Sequence, residues 1–108
     1  MQAEIVDRRY TPRLDLKIPL QLRLKGLPAA PEHTCESTNI SARGVFFVTS
    51  VPLAQNTQLE LVLEMPEEIT GKPPARLCIL AQVTRVEPAG PSSQHRGVGV
   101  KFLCYEAA

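Results

Sequence analysis

An all-β chain folded as a small barrel of about six strands is the fold class this sequence predicts, on three observations. Apolar and polar residues alternate strictly from Leu14 to Leu24, and a period of two belongs to a half-buried strand, not a helix. Ten prolines and six glycines punctuate the chain at intervals suited to short strands. No convincing amphipathic helical pattern occurs; the only candidate turns lie near Pro66–Ile69 and at the extreme C-terminus. So few strands in one domain close most readily on themselves.

The first strand places Leu14, Leu16, Ile18, Leu20, Leu22 and Leu24 on one face and Asp15, Lys17, Pro19, Gln21, Arg23 and Lys25 on the other. Pro19 cannot donate to a ladder, so an edge position or a bulge is expected there. Gly26 to Pro31 is a loop, and His33 to Ile40 reads as a second, weaker strand. Asn39 to Gly44 makes the turn into a third strand, Val45-Phe46-Phe47-Val48, which is strong in β-propensity. In the fourth, Leu59, Leu61, Leu63 and Met65 alternate with Glu60, Val62 and Glu64 until Pro66 ends the run. Gly71 to Pro74 is loop, Ala75 to Val86 a long fifth strand, Glu87 to Gln94 a hairpin loop and His95 to Tyr105 the last strand. In that strand Gly97 and Gly99 share one face, opposite Val98, Val100 and Phe102. Glycine weakens a strand interior, so two on one face imply barrel curvature or close packing there.

Composition narrows the function. The chain has 108 residues, 44% hydrophobic and 21% charged, which fits one ordinary globular domain. Its net charge of +1 argues against a broad basic surface for DNA or RNA. A single-strand nucleic-acid barrel would also need surface aromatics for stacking, and the phenylalanines read as core. No apolar run approaches the ~20 residues of a membrane span, and the polar N-terminus does not read as a signal peptide. A soluble, cytoplasmic protein is the expectation. Cys35, Cys78 and Cys104 are widely spaced without a CxxC, so free core thiols are expected rather than a metal or redox site. His33 and His95 stand outside any nucleophile–base, HExxH or paired-carboxylate pattern, and Glu60, Glu64, Glu67 and Glu68 read as solvated. An enzyme is not expected, and no cofactor or metal is implied.

Two polar clusters remain. Arg9-Tyr10-Thr11-Pro12-Arg13 sets two guanidinium groups four positions apart, with Arg8 beside them, and Asn39-Ile40-Ser41-Ala42-Arg43-Gly44 strings an amide, a hydroxyl and a glycine between two strands. Guanidinium forks bind phosphate oxygens bidentately and stack on purines. Pro12 disfavours the α-region at Thr11, so Arg9 and Arg13 belong to an extended or turning segment. Each cluster has a plainer reading: surface arginines before a strand, and a turn whose Asn and Ser bond their own backbone while Gly44 supplies a positive φ.

In this order, ahead of the alternating pattern and the closing Gly97-Val98-Gly99-Val100-Lys101-Phe102, the RxxxR and NxSxxG clusters resemble the PilZ domain, a family of bacterial receptors for cyclic di-GMP. The resemblance runs from Arg8 to about Leu103 and implies a six-stranded antiparallel barrel. It divides the chain into a flexible arginine segment, residues 1–13, and the barrel, residues 14–105. It implies that Arg8, Arg9 and Arg13 fold over the ligand, that Asn39 meets a guanine edge, and that Ser41 hydrogen-bonds the ligand where Gly44 lets the backbone approach. Arg43, Gly99 and Arg85 are possible further contacts, and Arg96, like Arg85, could supply a further cation from a neighbouring strand. Ordering of the N-terminus on cyclic di-GMP would then signal to a protein effector, from a monomer or weak homodimer that neither enters a membrane nor binds nucleic acid. The alternative is a protein-interaction adaptor of the same fold that binds no nucleotide. Asn39 is one of the two residues, Asp or Asn, that the family accepts at its position. Arg43 stands where relatives often carry Gly, and the sequence stops at Ala108, shortly after the last strand, where single-domain relatives often append a helix. The chain therefore reads either as a complete minimal domain or as a piece of a longer protein.

Overall fold

The computed structural model describes residues 13–26, 32–90 and 94–107. Strands β1 (Pro19–Leu24), β2 (His33–Ile40), β3 (Gly44–Thr49), β4 (Gln58–Met65), β5 (Ala75–Pro88) and β6 (Arg96–Ala107) are joined by short connections and one helical turn, α1 (Glu67–Thr70). They form a closed antiparallel barrel in the order β1-β2-β3-β6-β5-β4. The expected fold class is the observed one. Because every strand pairs on both sides, backbone polar groups are satisfied around the ring, as their burial requires. The expected arginine segment, residues 1–13, lies outside the described residues except for Arg13.

The interior is filled by the inward positions of the alternating strands. Leu20 and Leu22 of β1, Leu59, Leu61 and Leu63 of β4, Ile79 and Val83 of β5 and Val98 of β6 surround Phe47, all essentially without solvent exposure. Each such side chain contributes about 1.5–3 kcal/mol relative to an exposed one. This packing fixes the register of every strand, since a one-residue slip would exchange the two faces.

β1 begins at Pro19, five residues later than the alternation suggests. Pro19 is the first strand residue, a place where its missing N–H is tolerated, and it is not on a sheet edge. Residues 14–18 still keep the predicted faces, but β2 holds them irregularly. Leu14 and Ile40 exchange two backbone bonds of 2.8 and 2.9 Å. Ile18 N–H donates to Ser37 Oγ at 2.9 Å, while the same hydroxyl donates to the Leu16 carbonyl. Ser37 is buried, and its side chain thus replaces one rung of the ladder.

β2 also bulges on its other side, against β3. Ser37 lies opposite Phe47 but Asn39 lies opposite Phe46, so the register shifts between them. A second bulge falls in β5, where Val83 faces Val100 but Arg85 faces Gly99. A third, between Leu80 and Ala81, lies near the end of β6. The first two decide which side chains face outward at one end of the barrel.

Candidate functional site

Counted by strict alternation from the buried Ser37, Asn39 would turn into the barrel. Counted from the buried Val83, so would Arg85. Each bulge adds a residue and puts the polar side chain on the outer face instead, Asn39 opposite the outward Phe46 and Arg85 opposite Gly99. Re-aiming a side chain next to a site is a common use of β-bulges.

Between these positions the turn from β2 to β3 is tight. Ser41 N–H donates to the Gly44 carbonyl at 2.9 Å, and Arg43 N–H donates to Ser41 Oγ at 3.1 Å. Ser41 is therefore largely buried and holds the turn, the plainer role its position suggested. Asn39 belongs to β2 rather than to the turn. Its amide makes no hydrogen bond to a described residue. Gly44 does not have a positive φ. It is required instead because a Cβ there would overlap the Val100 carbonyl oxygen of β6, so the expected reason for that glycine is corrected: β6 comes close.

A cleft of about 430 Å³ results, lined by Arg13, Asn39, Ser41, Arg43, Gly44, Val45, Phe46, Thr84, Arg85, Gly99, Val100 and Lys101. The structure thus brings together Arg13, the Asn39, Ser41, Arg43 and Gly44 cluster, Arg85 and Gly99, from four separate stretches of the chain. Arg8 and Arg9 lie outside the described residues. Arg96 is exposed at the start of β6 opposite Thr49 and does not line the cleft. Among the lining residues Arg13, Arg43, Arg85 and Lys101 are cationic and none is acidic, so the cleft carries a local positive field that the chain's near-neutral total conceals.

Phe46 was expected in the core with Phe47. Only Phe47 is there; Phe46 lies on the outer face, over β6. A Cβ at Gly97 would stand 2.6 Å from the tip of its ring and one at Gly99 3.6 Å from its edge. Gly97 therefore admits the ring against the β6 backbone, the close packing implied for that face, whereas a Cβ at Gly99 would make only ordinary contact with it. Lys101 and Thr84 also line the cleft without having been singled out. Lys101 could have been read from the alternation, which sets it on the same face as Gly99.

A larger cleft lies elsewhere. A groove of about 810 Å³ follows β1, β4 and α1, with Glu64, Glu67 and Glu68 set against Lys17 and Arg76. Its mixed charge gives a dianion no net attraction. Among the described residues no group of three or more His, Cys, Asp and Glu could hold a metal ion, and no helix is long and apolar enough to cross a membrane. The three cysteines are free: burial pushes the Cys35 thiol up to about 11, while Cys104 is exposed rather than in the core.

The family model for the PilZ domain matches residues 7–107. The chain belongs to the PilZ domain family. Solved structures agree on this fold. The Bacillus subtilis inhibitor of motility MotI/DgrA aligns over 95% of this PilZ chain at 25% identity, with a TM-score of 0.68. K. pneumonia MrkH in its apo state aligns over 89% at 20% identity, with a TM-score of 0.61. The PilZ chain spans only 45% and 42% of those two proteins. The PilZ domain of YcgR from Escherichia coli, solved with c-di-GMP, aligns over 90% of this chain and 79% of its own, at 13% identity and a TM-score of 0.59. No curated protein matches the chain.

Proposed function

We propose that this PilZ domain is a receptor for cyclic di-GMP and that the cationic cleft is its site. The observation that carries the reading is the cleft itself: Arg13, Arg43, Arg85 and Lys101 surround the amide of Asn39, with no carboxylate among the lining residues. A cyclic dinucleotide has two phosphates for guanidinium forks and two flat purines for stacking and edge contacts. Arg13 takes a phosphate. Asn39 meets a guanine edge, and Ser41 and Gly44 shape the floor. Family membership and the ligand of the YcgR PilZ domain support the assignment.

In this mechanism the ligand also draws the segment carrying Arg8 and Arg9 onto the cleft, and the changed surface is read by a protein effector. Such a shift requires only that the ligand bind the closed arrangement better than the open one. The domain works as a receptor in the cytoplasm and performs no catalysis.

Titration calorimetry tests the reading, with GTP as the control nucleotide. Arg9→Ala and Arg13→Ala should each cost on the order of 2 kcal/mol or more in cyclic di-GMP affinity, as expected for truncating one partner of a desolvated charge-assisted contact, with melting temperatures unchanged. Wild-type affinity in either variant would refute the site. No binding by the wild type would transfer the reading to an adaptor that works without nucleotide.

A further inference from the structure

Arg85 differs from the other cations of the cleft in being held. Its guanidinium lies 5.1 Å from the centroid of the Phe46 ring, and its Nε lies 3.4 Å from Glu87 Oε2. The Phe46 ring lies against the β6 backbone at Gly97, and the Arg85 guanidinium lies over that ring. Among the described residues, Arg13, Arg43 and Lys101 have no comparable side-chain partner.

We propose that Phe46 is a positioning residue for Arg85 and that Glu87 is a built-in competitor, which a phosphate of the bound cyclic dinucleotide displaces. The inference rests on the receptor reading above and assigns two residues to its control. Glu87 is suited to the role by its exposure. The side chains of Arg85 and Glu87 are 58% and 49% exposed, and a solvated ion pair of this kind is weak and readily exchanged. Phe46 is suited by rigidity: its ring rests on the β6 backbone at Gly97, so the guanidinium over it is kept at the cleft, where the edge formed by Nε and one Nη can fork a phosphate once Glu87 leaves Nε. A ligand phosphate offers that fork a stronger, bidentate partner than the Nε contact Glu87 makes. The carboxylate then swings into solvent, and no bond is made or broken.

Titration of cyclic di-GMP into single and double variants tests the assignment. Glu87→Gln removes the competitor and should bind about threefold more tightly than wild type. Phe46→Leu and Arg85→Ala should each weaken binding about tenfold, and the double variant should be no weaker than Arg85→Ala alone, because Phe46 acts through Arg85. Phe46→Tyr keeps the ring and should bind as wild type. If Glu87→Gln binds no better than wild type, or if the Phe46 and Arg85 losses add, the inference is overturned while wild-type binding leaves the receptor reading standing. If the wild type does not bind, both fall together.

Discussion

Asn39 carries an amide in the cleft with no hydrogen-bond partner among the described residues. An amide offers guanine one acceptor, whereas a carboxylate would accept from both N1–H and the exocyclic amine. Asn39→Asp should therefore strengthen cyclic di-GMP binding by on the order of 1 kcal/mol, the difference between neutral and charge-assisted bonds. A weaker affinity in calorimetry would contradict this. The cysteines give a second check at the same scale. Cys104 is exposed, whereas burial holds the Cys35 thiol protonated up to about pH 11. Since the folded value lies above that of a free thiol, folding is favoured less as pH rises past the ordinary cysteine range toward 11. A thiol reagent near neutral pH should label Cys104 first and Cys35 last, read by peptide mass spectrometry; early labelling of Cys35 would refute its burial.

The strands show what a period of two can and cannot reveal. In β4 it places Leu59, Leu61, Leu63 and Met65 inward, and all four are buried. From Leu14 to Ile18 it also assigns the faces well, yet it cannot show that the ladder starts only at Pro19, because backbone bonding leaves no mark on side-chain pattern. Bulges break the count outright. Asn39 and Arg85 face the cleft through an extra residue in β2 and β5, and nothing in the local sequence marks either one. Phe46 was hidden for another reason: Val45 to Val48 is apolar on both faces. Two substitutions probe these elements. Ser37→Ala deletes the hydroxyl that serves both Ile18 N–H and the Leu16 carbonyl, and should lower stability by about 1–3 kcal/mol. Gly44→Ala forces a methyl into the Val100 carbonyl and should cost a similar amount, about 1–3 kcal/mol, through backbone displacement. Denaturant melts measure both, and unchanged midpoints would show that β1 and β3 are held some other way.

For the molecule as a whole, the two motifs and the alternation were enough to indicate a barrel and a family, while the cationic face was not legible in a net charge of +1. That face exists because closure brings the ends of β2, β3, β5 and β6 together around Arg13. The larger groove along β1 and β4 shares no lining residue with this cleft and carries mixed charge, so the two clefts make opposite predictions about where a dianion binds. Amide chemical-shift mapping of the ¹⁵N-labelled protein with cyclic di-GMP separates them. The account predicts shifts concentrated at Arg13, Asn39 to Gly44, Arg85 and Gly99 to Lys101, with Gln21, Val62 and Arg76 unmoved. Shifts centred on the β1–β4 groove, or none at all, would contradict it.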